Sequence, residues 1–364
     1  MNRRAIVVGG GLTVATGVGA VAASFLGMGN LRAYAETVSQ TRAALAENPE
    51  LKDYIRLAIL AANSHNTQAW SFHIVGNRIS IRPDYARRTP VVDPDDHHLF
   101  VSLGCAAENL GLAAAAGGHV GELSFDPSEN GGLIYDFRAG TKIISPLLGA
   151  VTLRQSTRNI YDGKKVPACD LALLSDAAKS ADVDVILISD RTLISRLRDN
   201  VIAANTVQMS DPAYLRELKS WLRYNPREAL RKGDGLFSAT TGNPTLPSWL
   251  GPIMVDLTVS AKSENDKYAK QLDSSSGIAV FVSKVEDHEH WTMVGRACQR
   301  FALQATTLGL KTAFMNQPIE VAKFRPDLAA LIGMPGRRPD IVMRFGYGLL
   351  MPYSARRPLN AVLN

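Results

Sequence analysis

Cysteine is scarce: Cys105, Cys169 and Cys298 are the only three in 364 residues. Their spacing fits neither a metal-binding pair nor an even-numbered disulfide framework, so the fold must rest on its core. The three thiols read as small buried apolar side chains. Charge of one sign is nowhere concentrated, since 40 Lys and Arg stand against 34 Asp and Glu for a net charge of +6. The pI near 9.2 favours anionic ligands mildly, but no basic stripe is interleaved with aromatics, and a nucleic-acid surface is not expected. With 46% apolar and 20% charged residues, the length suits one large or two ordinary globular domains.

One long uncharged run exists, from Ala5 to Gly29, preceded by Arg3-Arg4 and followed by Ala33-Tyr34-Ala35. Paired arginines, a glycine-diluted apolar stretch and a small-residue triplet predict a twin-arginine export signal over 1–35. The run is also long enough to span a bilayer, so membrane contact as an uncleaved anchor is the alternative. The protein is thus expected to be periplasmic or membrane-anchored, and cytoplasmic if the signal is not used. Gly17-Val18-Gly19-Ala20-Val21-Ala22 also satisfies a dinucleotide fingerprint, with Glu36 downstream. That reading needs a preceding strand and a sustained helix, which Gly27 and Gly29 would break. Deleting 1–35 is therefore expected to leave cofactor binding intact.

From Glu36 the pattern is that of a soluble chain. A helix is predicted over Thr37–Asn48, another from Leu51, and strands over Ser71–Val75 and Arg78–Arg82. Between helix and strand lies a polar turn, Asn63-Ser64-His65-Asn66-Thr67-Gln68, which chemistry alone assigns equally to a helix cap. Further on, Arg154-Gln155-Ser156-Thr157-Arg158 packs two guanidiniums, an amide and two hydroxyls into five residues. Planar bidentate donors suit a phosphate, although such clusters also occur as solvated helix entries.

Here the chain resembles a known family. Ala62-Asn63-Ser64-His65-Asn66-Thr67-Gln68-Ala69-Trp70-Ser71-Phe72 is similar to the P-S-x-x-N-x-Q-P-W-x-F signature of flavin-dependent nitroreductases, with Ala62 and Ala69 in place of prolines. Arg154 to Arg158 resembles that family's R-x-S-x-R phosphate motif, Pro318-Ile319-Glu320 its P-I-E turn, and Ser354-Ala355-Arg356-Arg357-Pro358-Leu359 its K-x-R-x-P-L tail. The usual glycine after P-I-E is Val321, and Ser354 replaces the tail's lysine. The order of the first two motifs is reversed relative to ordinary members.

An internal repeat accounts for the reversal. At an offset of 191, Asp96-His97 matches Asp287-His288, Gly104 matches Gly295, Leu112 matches Leu303 and Gly118 matches Gly309. Since the resembled enzymes are homodimers with flavin at the interface, the repeat implies a fused dimer. It would be an α+β nitroreductase-like fold of two tandem halves, 36–145 and 146–364, with mixed sheets flanked by helices and one complete site. This is most similar to the Acg-like, single-chain branch that binds flavin mononucleotide (FMN). A monomeric pseudo-dimer is expected.

The second half carries a turn-rich stretch, about 211–276, with Trp221, Tyr224, Phe237 and Trp249. It is predicted to be a lid whose aromatics shield the ring system. The paired turns Asp95-Asp96-His97-His98 and Glu286-Asp287-His288-Glu289-His290 read as repeated leads into helices, and no metal is expected. The resemblance implies that Arg154, Gln155, Ser156, Arg158 and Arg356 hold the flavin phosphate, and that Asn63, Ser64 and Asn66 reach the ring from the first half. Asn316, Gln317 and the backbone of Pro318, Ile319 and Glu320 would serve its reactive edge. No acid–base residue is assigned, because the chemistry of such enzymes belongs to the cofactor. The implied activity is an FMN oxidoreductase passing electrons from a donor such as NAD(P)H to a nitroaromatic, quinone or similar small acceptor. A flavin-sequestering protein with a closed lid is the alternative.

Overall fold

The computed structural model describes residues 23–364. The paired arginines and the Gly17 to Ala22 fingerprint lie outside the described residues. After a helical stretch at 23–26, helix α1 (Leu31–Thr41) begins where the Asn30 side chain accepts the Ala33 N–H, and it ends at Arg42. It therefore starts and stops earlier than the Thr37–Asn48 helix expected from periodicity, because the side-chain cap fixes its start. The boundary placed at residue 35 falls inside it.

After α2 (Leu51–Ala58), the first half builds β1 (Trp70–Val75), β2 (Arg78–Pro83), α3 (His97–Ala116), β3 (His119–Phe125) and β4 (Leu133–Ala139). The second follows α4 (Leu148–Leu153) and α5 (Ala168–Ala178) with β5 (Val183–Ile188) and α6 (Arg191–Met209). Then come α7 (Pro212–Ser220), α8 (Pro226–Lys232), α9 (Gly251–Thr258) and α10 (Ala261–Asp273). The half closes with β6 (Gly277–Ser283), α11 (His288–Thr307), β7 (Lys311–Phe314), α12 (Gln317–Glu320), α13 (Arg325–Leu331) and β8 (Ile341–Gly346).

Each half contains one four-stranded antiparallel sheet, ordered β1-β2-β4-β3 and β5-β6-β8-β7, and the second half adds a short parallel pairing of Leu222–Arg223 with Leu236–Phe237. The two orders superpose element for element, as the repeat requires. One difference stands out: where β1 and β2 are joined by the tight turn at Gly76-Asn77, β5 and β6 are separated by 189–276. The segment without a counterpart is thus longer than the 211–276 read from composition and includes α6.

The halves meet along α3 and α11, which are largely buried. Gly104 sits so close to α11 that a Cβ would lie 1.9 Å from the Thr292 carbonyl, and a Cβ on Gly295 would lie 2.0 Å from that of Val101. These are the same contact twice, since 101 and 292 differ by the repeat offset. Such reciprocity is what a two-fold interface imposes, here within one chain. The C-terminus then crosses back, with Phe72 N–H donating to Val362 and Asn364 N–H donating to Phe72 at the edge of the first sheet.

Candidate functional site

Two adjoining cavities lie at the junction of the halves. A narrow polar slot of about 30 Å³ is lined by Arg42, Asn63, Asn66, Arg154, Gln155, Ser156, Arg158, Ser354 and Arg356. It shares Ala62, Asn63, Arg158 and Leu236 with a chamber of about 260 Å³. The chamber is lined by Ser64, His65, His98, Ser102 and Cys105 from the first half and by Asn316, Gln317 and Glu320 from the second. Tyr214, Leu218, Val255, Val259 and Tyr268 cover it from the segment between β5 and β6. Residues ninety positions apart in the chain are thus brought together, as the fused-dimer reading requires.

The slot is dominated by cations. Arg154 is 3% exposed and donates to the Leu60 carbonyl at 3.1 Å. Arg356 donates to Ile59 (2.7 Å), Leu60 (3.2 Å) and the Asn66 amide oxygen (2.8 Å). Arg42 donates to the carbonyls of Thr152 and Arg154. Among the described residues none of Arg42, Arg154, Arg158 and Arg356 has a carboxylate partner, and the buried Nε atoms of Arg42 and Arg154 have no hydrogen-bond partner. Burial first, and then mutual repulsion, push the Arg42 and Arg356 groups below the ordinary guanidinium range. Arginine stays protonated in proteins, so this cluster carries positive charge that lacks a counter-ion.

The remaining residues expected at the site divide by what their side chains touch. Gln155 lines the slot, but its amide is committed: Nε2 donates to the Met351 carbonyl, and Oε1 accepts from Met351 N–H and the Thr157 hydroxyl. Asn66, in the left-handed region at φ 55, donates to the carbonyls of Gly235 and Ala355 while accepting from Arg356. Gln68 donates to Gly233 and accepts from Arg357 N–H. The polar turn is therefore first a clamp on the lid loop and tail, with Asn63 and Ser64 left beside the cavities. Ser156 forms an isolated bridge to Thr312 that holds the arginine motif against β7.

The P-I-E turn departs from expectation. Asn316, Gln317 and Glu320 reach the chamber, whereas Pro318 and Ile319 are not among its lining residues. Ile319 and Glu320 N–H groups both donate to the Asn316 carbonyl, so the donors expected to face a ligand edge close the turn instead. A one-turn helix satisfies these amides locally.

Composition also misplaced the lid's shielding groups. Phe237 packs on Tyr34 with ring centroids 4.7 Å apart, Trp221 lies against Arg87 and Arg223, Tyr224 packs over Gly251 and Trp249 is 52% exposed. None of the four lines the chamber, which this segment covers with aliphatics such as Leu218 and Val255, with Tyr214 and Tyr268, and with polar groups that include Asn243, Glu264 and Lys267. The loop beneath is latched by buried Asp234, paired with both Arg87 and Arg223.

Two histidines at the chamber, His65 and His98, were not among the expected site residues. His65 occupies a variable position of the turn, and burial, with Arg158 nearby, lowers its pKa to about 4, leaving it neutral. His98 is likewise held well below its usual value by burial and by His97. Asp93, His97 and His98 place potential metal-ligand atoms within 4.8 Å of one another. The Asp93 carboxylate, however, accepts the His98 and Leu99 N–H groups, and His97 pairs with Asp340 at 2.8 Å. Burial raises the Glu320 carboxyl to about 7 against the lowering effect of the Gln208 amide 2.6 Å away.

No protein-family model matches the chain. Over 328 residues it is 26% identical to Rv3131 of Mycobacterium tuberculosis, named as a candidate NAD(P)H nitroreductase, covering 86% of this chain and 90% of that one. Acg of the same organism, also named as a candidate NAD(P)H nitroreductase, is 22% identical over 331 residues, covering 86% of this chain and 95% of its own. Both halves are therefore spanned by single-chain relatives. Among solved structures, a nitroreductase with bound FMN from Desulfitobacterium hafniense is 15% identical, with a TM-score of 0.38, and covers 59% of this chain and 95% of that one.

Proposed function

We propose that this chain is an FMN-dependent oxidoreductase of the nitroreductase type, carrying one flavin at the junction of its halves. NAD(P)H or a comparable reductant would be the donor, and a nitroaromatic, quinone or similar small molecule the acceptor. The observation that carries the proposal is the group of four arginines at the slot with no carboxylate among the described residues. A dianionic phosphate supplies the missing charge and acceptors for the orphaned Nε atoms, and the slot opens into a chamber for a planar ring. The resemblance of the motifs supports this choice of anion, and the relatives named as candidate NAD(P)H nitroreductases support the class of reaction.

Arg154, Arg158 and Arg356 would hold the phosphate, and Asn63 lies where slot and chamber join. Bound there, the flavin supplies reversible two-electron chemistry. The apolar side chains of Leu218, Leu222, Val255 and Val259 would help exclude water, and the half-buried Glu320, its carboxyl raised to about 7, would hold a proton at the chamber wall. A second reading, cofactor sequestration, is favoured by one feature, the Arg87–Asp234–Arg223 latch that holds the cover shut. Mixing the flavin-loaded protein anaerobically with NADH or NADPH separates the two. Bleaching of the flavin band within the mixing experiment supports the enzyme, and a band that neither coenzyme bleaches supports sequestration.

A further inference from the structure

Helix α1 packs against both the C-terminal tail and the lid loop beside the slot. Tyr34, 1% exposed, donates its hydroxyl to the Tyr353 carbonyl at 2.8 Å and accepts the Ala355 N–H at 2.9 Å. Two residues of the C-terminal tail are thereby fixed on either side of Ser354, immediately before Arg356. The Tyr34 ring also lies against Phe237 of the lid loop. At the far end of the helix, Arg42 lies 4.0 Å over the Tyr353 ring and donates to Thr152 and Arg154, the residues that lead into the arginine motif. Its buried Nε has no partner, and the residue lines the slot.

We propose that residues 31–42 are a permanent part of the anion site: Arg42 is a further phosphate-binding residue and Tyr34 a positioning residue for the tail that carries Arg356. The chain then holds its cofactor with this segment attached, not after its removal at Ala35. Cleavage there would take Tyr34 and leave the Ala355 N–H without its acceptor in a buried setting. Of the two readings of the N-terminus, this favours the retained anchor over the cleaved signal. It also reverses the expectation that deleting 1–35 spares cofactor binding. The inference rests on the flavin-phosphate reading of the slot.

FMN and riboflavin differ only by the phosphate, so their affinities, followed by flavin fluorescence, separate the two claims. The full chain, its Arg42→Met and Tyr34→Phe variants, and a chain starting at Glu36 are titrated with both flavins, with thermal melting as a folding control. For Arg42→Met, FMN affinity should fall about tenfold or more while riboflavin affinity stays within about twofold. Tyr34→Phe should lose about threefold or more of the FMN preference, and the chain from Glu36 most of it. Full FMN preference in both point variants would overturn the inference, whether or not the shortened chain folds. A full chain that binds the two flavins equally would instead overturn the phosphate reading itself.

Discussion

Replacing Arg154 with methionine should weaken FMN binding while leaving the flavin-free fold about as stable as before. In the flavin-free protein the guanidinium is a buried cation repelled by Arg42 and Arg356, with one hydrogen bond, to Leu60. Losing that bond leaves no orphan, because the Leu60 carbonyl also accepts from Arg356. A methionine of similar length keeps the apolar stem packed. Exchange of buried charge for apolar volume is often neutral or stabilising by about 1–4 kcal/mol. Against this stands the lost charged hydrogen bond, worth about 1.5–3 kcal/mol. The flavin-free Arg154→Met protein should therefore unfold within about 1 kcal/mol of the parent, or later. FMN binding should weaken by about 1.5–3 kcal/mol, roughly ten- to more than a hundredfold, because a charge-assisted phosphate contact is gone. Urea unfolding of the flavin-free proteins and fluorescence titration with FMN check both halves. A variant that is much less stable yet binds FMN as before would show that Arg154 is a structural cation and refute the reasoning.

Asp234→Ala strands buried Arg223 and half-buried Arg87 without a counter-ion, which should cost about 3–5 kcal/mol. Amides of the loop around 221–241 should then exchange about a hundredfold faster or more, and flavin should dissociate faster; unchanged exchange would show that the latch does not hold the cover. Glu320 has a folded pKa raised to about 7 from 4.5, so the native state binds its proton more tightly, and its contribution to stability declines as pH rises from 4.5 to 7. Relative to the parent, Glu320→Gln should gain up to about 3 kcal/mol over that window. His65, whose pKa is lowered, acts with the opposite sign as pH falls toward 4, so only the difference between the two proteins isolates Glu320; a flat difference would contradict the assignment. Gly104→Ala would drive a Cβ to 1.9 Å from a backbone carbonyl of the facing helix, separating the halves at a cost of about 3 kcal/mol, seen as a lower unfolding midpoint.

Local pattern reached far into this chain. The strands expected over Ser71–Val75 and Arg78–Arg82 were legible to within one residue, Trp70–Val75 and Arg78–Pro83 in the structure, because their alternation and the turn between them agree with the tertiary environment. The repeat was legible through Gly104 and Gly295, whose identities are dictated by helix contact. What a side chain touches was much less so. Gln155, Asn66 and Gln68 have the chemistry of ligand contacts, but their amides brace the tail and the lid, a choice made by chain segments up to 289 residues away. Arg42 has no motif around it, and only the closing of the tail over α1 brings it to the slot. The lid's aromatics illustrate the same limit: large rings on an insertion are as useful for fastening it to the body as for covering a ligand.

A cation cluster that the fused halves build once would hold a single phosphate-bearing flavin. Purified protein should show the flavin absorbance bands, and the chromophore released by denaturation should have the mass of FMN at one equivalent per chain. Protein that carries no flavin and fails to take up added FMN, or that binds two equivalents per chain, would contradict the account.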